Sequence, residues 1–491
     1  MELYVFMFML ATLVSSENKV VREFFYMNGC SDTEKENLYG SDGEELWHAD
    51  FIKGEGVVTL PDFADPGGFD GFYQNAVAEL EICKQNLAVA IKAYNNPQEK
   101  MDKPQSSIYA EDDLQLNVEN TLICHVTGFF PPPVRVSWTR NNEALKEDSL
   151  SQYRPNDDGT YTIFSSLPFT PQEGDIYSCT VNHKWMLMCL VLVQLCFVEW
   201  VCLLDFWESL LELSSSLKET TATDIPDMEA NFENKLYIKM SPPKDLCFHV
   251  ILMLSAFTGA ANGYYYSRWA TCFHSSRDLS DMVLVDRYIF NKDVYIEFNS
   301  TVGEFVGYTA HGVYNAELRN KDTNYLQQER AEVERYCKHN AEIYQSAIAD
   351  KTVPPKVKLS SVKQAGGRHP AVLMCSAYRF YPHWIQVTWM KDDQPVKSDV
   401  TATEEMPNGD WYYQIHSHLE YTPKSGEKIS CVVDHAGLTK PIIIDWDPSL
   451  PEPERNKIAI GASGLVLGII IAAAGLIYYK KKSSGRILVP S

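Results

Sequence analysis

Cys124-His-Val-Thr-Gly-Phe-Phe-Pro-Pro-Pro-Val-Arg-Val-Ser-Trp138 decides the fold, because the chain repeats it. Cys375 to Trp389 has the same 14-residue spacing, and Gly128-Phe129-Phe130-Pro131 answers Arg379-Phe380-Tyr381-Pro382. Cys179 lies 55 residues beyond Cys124, and Cys431 lies 56 beyond Cys375. After these cysteines, Thr-Val-Asn-His183 answers Val-Val-Asp-His435. Agreement of spacing and text at two places marks an internal repeat of one domain type.

Cys…Trp…Cys over alternating strands is the pattern of the immunoglobulin sandwich, whose tryptophan packs on the inter-sheet disulfide. Each sandwich follows a segment with strands first and one long helix last. Lys19–Met27 and Glu44–Ile52 read as strands in the earlier segment. Val283–Phe290 and Val294–Phe298 read as a hairpin around Asn291-Lys292-Asp293 in the later one. Tyr73, Val77, Leu80, Cys83, Leu87, Ile91 and Tyr94 step by threes and fours until Pro97 stops them. Leu326, Val333, Cys337, Tyr344 and Ile348 repeat that face, with Arg330 interrupting it. Cys30 is available to pin Cys83, and Cys272 to pin Cys337. With Cys124–Cys179 and Cys375–Cys431, each closed loop contributes about 4 kcal/mol in the chain-entropy model.

Length and charge narrow the classes. The 491 residues suit several domains, and a net charge of −22 argues against binding nucleic acid. Ile458 to Tyr479 is an uncharged run long enough to span a bilayer, and Lys480, Lys481 and Lys482 place its end in the cytosol. Leu3 to Val14 reads as the apolar core of a leader over residues 1–16. The bulk of the chain is then lumenal or extracellular, where disulfides persist. Phosphate loops, zinc-binding helices and nucleophile elbows are not found, and the 12 histidines lack ligand spacing. An enzyme is not expected, nor is any metal or cofactor.

This organisation resembles the class II histocompatibility chains. Residues 17–184 are similar to an alpha chain, through Leu46-Trp47-His48-Ala49-Asp50-Phe51 and Pro104 to His183. Residues 240–491 are similar to a beta chain, through Tyr336-Cys337-Lys338-His339-Asn340 and the second sandwich. The alpha-half cysteine pair is similar to the fish type. The resemblance implies an α+β molecule: half-groove domains at 17–103 and 264–353, C1-type sandwiches at 104–184 and 354–447, a connecting peptide at 448–457, a transmembrane helix at 458–479 and a tail at 480–491. It further implies an extended antigenic peptide held for T-cell receptors and their co-receptor, with help from invariant chain and peptide-editing class II molecules. Cell-surface and endosomal membranes are the implied locations.

A peptide lying between two helices has no strand beside it, so side chains must satisfy its backbone; the asparagine amide both donates and accepts. By the resemblance, Asn86, His339 and Asn340 take this role. Glu79 stands where the alpha helix carries another asparagine, and Arg319 stands where the beta helix carries a tryptophan. The two departures fit an ion pair or an accessory, peptide-editing member. An immunoglobulin-type receptor without a groove is the reading from another class. Asn299-Ser300-Thr301 is the glycosylation sequon.

The join departs from the family. Trp185 opens a linker to residue 239 containing the apolar stretch 186–204, and residues 240–263 read as a second leader. Either two neighbouring reading frames are merged here, or the two halves are a true fusion. The first sandwich also lacks text for its last strand, which leaves an edge exposed.

Overall fold

The computed structural model describes residues 21–146, 149–184, 263–365, 369–448 and 452–484. The leader, the linker with its apolar stretch and nearly all of the second leader lie outside the described residues.

Eight antiparallel strands form one platform. The first half supplies β1 (Arg22–Cys30), β2 (Lys35–Ser41), β3 (Glu44–Asp50) and β4 (Glu55–Val58). The second supplies β5 (Tyr266–His274), β6 (Val283–Phe290), β7 (Asp293–Asn299) and β8 (Glu304–Gly307). Their order is β8-β7-β6-β5-β1-β2-β3-β4, so the halves join through β1 and β5. That seam runs in unbroken register from Arg22 opposite His274 to Cys30 opposite Tyr266. Each half covers the strand edge that the other would expose. Asn291 and Lys292, with φ of 51° and 76°, make the two-residue turn between β6 and β7. β3 stops short of Ile52 because Asp50 Oδ1 accepts from the Ile52 and Lys53 amides, both at 2.9 Å, and turns the chain.

Helix α1 (Phe72–Ala93) crosses the platform on Ala76, Leu80, Cys83, Leu87 and Ala90. Two alanines replace part of the expected stripe, and Val77 is 42% exposed. The Cys30–Cys83 disulfide fixes this rotation by tying the helix to β1.

The second helix is not continuous. It comprises α2 (Ala310–Lys321), α3 (Thr323–Glu332), a π-helical stretch Val333–Lys338, α4 (His339–Tyr344) and a second π stretch, Gln345–Ala349. Asp322 breaks it by capping α3, accepting from the Asn324 and Tyr325 amides at 3.1 Å. A wider π turn carries Cys337, which is bonded to Cys272 on β5. Gly312 lets α2 settle on the sheet: a Cβ there would lie 1.6 Å from the Tyr295 carbonyl oxygen.

Two sandwiches lie below, each closed by its own disulfide, Cys124–Cys179 and Cys375–Cys431. Trp138 and Trp389 take the same place, donating to Ser165 and Ser417 at 2.9 Å. The sandwiches differ at one edge. In the second, Ile429–His435 is flanked by Ile385–Lys391 and Ile442–Asp445. In the first, among the described residues, Tyr177–His183 pairs on one side only, with Val134–Arg140.

The four parts interlock. Phe25, Met27, Tyr265, Trp269 and Ile289 below the platform share one apolar cluster with the first sandwich's Val126, Trp138 and Tyr161. Trp411 of the second sandwich donates to the Glu45 and Thr59 carbonyls at 2.9 and 3.1 Å. The sandwiches meet through Tyr109 Oη donating to the Pro407 carbonyl at 2.6 Å, and through Lys358 paired with Asp113. Helix α5 (Glu452–Ser484) starts within the stretch expected to be a connecting peptide, and its segment Ala462–Tyr479 has a mean hydropathy of 2.0. It is long and apolar enough to cross a membrane once.

Candidate functional site

The helices run antiparallel across the platform and bound a cleft. At one end, the Tyr94 and Thr309 hydroxyls lie 2.6 Å apart, joining the end of α1 to the start of α2. At the other, the Asp65 amide donates to the Ala347 carbonyl at 3.1 Å, and Lys351 pairs with the Asp65 carboxylate at 2.8 Å.

Both helices and the floor line a central cavity of about 370 Å³. Glu79 faces it from α1, Glu329 and Glu332 from α3, and Tyr336 from the π stretch; Arg268 and Asp286 form its base. Arg268 Nε and Nη2 reach both Asp286 oxygens at 3.0–3.2 Å. Burial opposes the charge on Arg268, and Asp286 more than offsets it, so the guanidinium stays protonated. Burial pushes the Glu329 carboxyl upward, and repulsion from Asp286 adds to that. A smaller cavity of about 110 Å³ opens at the Asp65 end, where Asn340 and Ile343 face Phe24, Leu46, Phe69 and Phe72.

This arrangement combines an uninterrupted floor, two bounding helices and recesses to which both halves contribute. A class II alpha domain model matches residues 23–100, an immunoglobulin C1-set model matches 106–186 and 357–438, and a class II beta domain model matches 246–345. The rat class II antigen D-1 beta chain is 36% identical over 200 residues, covering 41% of this chain and 75% of its own length. The dog DR-1 beta chain is 37% identical and the human DRB1 beta chain 36%, each over 201 residues with the same coverage. The chain belongs to the class II histocompatibility antigen family. Alpha-type and beta-type domains follow one another in this single class II chain, each with its C1-set sandwich.

The residues singled out from the sequence are distributed unevenly over this class II cleft. Glu79 lines the central cavity and Asn340 the smaller one. Asn86 is half-buried on α1 and lines neither; His339 is exposed. Arg319 makes no ion pair with Glu79. Its guanidinium lies over the rings of Tyr288, Phe305 and Tyr325, at 4.2, 4.9 and 5.8 Å from their centroids. Stacking on aromatic faces suits a planar cation and holds this arginine on the floor side. Asn299 ends β7, half-buried, with its Oδ1 accepting from the Thr301 amide at 2.9 Å.

Arg268, Asp286, Glu329 and Glu332 were not anticipated. Strand alternation carried the signal for the first: Cys272 faces the helix it is bonded to, so Ala270 and Arg268 face the same way.

Proposed function

We propose that this chain binds extended peptides in the cleft and presents them to T-cell receptors. The central support is the composite floor: strands from both halves pair through β1 and β5, and helices from both halves line one cavity. Helix α1 has 22 residues, about 33 Å at roughly 1.5 Å each. Such a cleft accommodates about ten residues of extended chain at roughly 3.3 Å each. Asn340 and Asn86 meet the peptide backbone from opposite helices, and the recesses take side chains.

In this reading α5 anchors the molecule, the sandwiches and platform face the lumen or the cell exterior, and Asn299 carries a glycan. Co-receptor, invariant chain and peptide-editing class II proteins are its partners on the route through acidic endosomes to the surface. A receptor without a groove has no need of recesses assembled from both halves. An editing member of the family is distinguished by whether the cleft retains peptide. Acid elution of the full-length protein, purified in detergent from cells that express it, is the test. Peptides of about ten residues or longer are expected, by the cleft-length argument; an empty eluate would overturn presentation.

A further inference from the structure

Four carboxyl groups and one guanidinium line the central cavity of the cleft. Asp286 and Arg268 cancel one another through a bidentate contact, which occupies that guanidinium edge. Three carboxylates remain, and they come from both helices: Glu79, Glu329 and Glu332. Among the described residues, Glu332 pairs only with the exposed Arg335, at 3.3 Å. Glu329 is 8% exposed and makes no ion pair among the described residues. Its neighbours are the Tyr325 hydroxyl and, farther off, the guanidinium groups of Arg268, already held by Asp286, and Arg319, stacked on its three rings. A buried carboxyl that no guanidinium contacts directly is costly, and this one lines a space that a ligand can enter.

We propose that this cavity selects a cationic side chain, lysine or arginine, from the bound peptide. The inference rests on the peptide-binding reading above and adds its specificity. A lysine ammonium brings three donors and a full charge, which Glu329 and Glu332 from one helix and Glu79 from the other are placed to accept. An acidic peptide residue would meet three carboxylates and an arginine already taken. An aliphatic one would leave the buried carboxyl unmatched.

The test is a positional scan with the full-length chain in detergent micelles. Alanine-based 13-residue peptides carry one lysine, glutamate or leucine at each position in turn, and compete with a fluorescent peptide. One interior position is expected to favour lysine over glutamate roughly tenfold or more, the scale of a charge-assisted contact. Glu329→Gln should reduce that preference and Glu329→Lys should invert it. Should those variants fail to fold, Glu79→Gln on the opposite helix carries the same expectation of a reduced preference. Peptides that bind with no interior preference for lysine overturn this proposal alone, as does a preference unchanged in the folded variants. A chain that binds no peptide of any composition overturns presentation itself.

Discussion

Arg154 in the first sandwich donates through Nη1 to Glu44 Oε2 at 2.6 Å, with side-chain exposures of only 7% and 2%. Its other nitrogen, Nη2, donates to the Gly409 carbonyl of the second sandwich at 2.7 Å. One guanidinium therefore joins the platform to both sandwiches. Arg154→Met is expected to destabilise the ectodomain by about 3–5 kcal/mol, because it leaves Glu44 buried and unpaired. Adding Glu44→Gln should recover much of that loss. Urea denaturation followed by tryptophan fluorescence reads both, and equal stability of the single and double variants would contradict the assignment.

Lys184 and Gly263 flank the long stretch outside the described residues, and both are tied to Glu99. Lys184 Nζ lies 2.5 Å from Glu99 Oε2, and the Gly263 amide donates to Oε1 at 2.7 Å. Among the described residues, each disulfide stays within one half. Replacing residues 185–262 with a short Gly-Ser linker should therefore leave the melting temperature within a few degrees of the parent. Cutting that linker with a specific protease should leave the halves together on gel filtration. Separation of the halves under native conditions would refute a self-sufficient seam.

Glu36 on β2 is 5% exposed, and its Oε2 has no hydrogen-bond partner among the described residues. Burial raises its pKa well above the usual carboxylate value, and Glu34 and Glu45 add to the effect. Folding thus favours its protonated form. Its contribution is most favourable below the unfolded pKa and is lost as pH rises through the folded one. Glu36→Gln should stabilise the protein by about 1–3 kcal/mol near pH 7.5. The gain should shrink towards pH 4.5. A gain that grows on acidification would reverse the sign of this argument.

Among the described residues Tyr177–His183 is an open edge, and the apolar cluster below the platform draws Tyr265, Trp269 and Ile289 from the second half. Residues 17–184 expressed alone should therefore associate or aggregate. Light scattering checks this, and a monomeric, cooperative melt would contradict it.

Asn340→Ala should speed peptide dissociation roughly tenfold, the effect of losing an amide that both donates to and accepts from the peptide backbone. Fluorescence anisotropy with a labelled peptide measures the rate. No change would remove Asn340 from the binding set.

Local signals were legible in the sequence. Cysteine–tryptophan spacing located both sandwiches, and the helix periodicities placed Cys83 and Cys337 over the floor. What stayed hidden depends on contacts between distant segments. Arg154 and Glu44 are 110 residues apart, and each alone reads as an exposed charge. Glu329 sits beside Arg330, but only the break at Asp322 and the following π turn decide which faces inward. Arg330 turns away to donate to the Gly303 carbonyl at 2.8 Å. The Glu79–Arg319 ion pair was one reading of two departures, and the aromatic floor under Arg319 takes its place.

The β1–β5 seam also bears on inheritance. Where the two sides of a cleft are separate products, each variant of one can meet every variant of the other. Here the two sides are made in equal number and always from the same allele. Diversity in this molecule then arises by substitution along a single coding sequence, and a change beneath one helix is inherited with whatever faces it from the other.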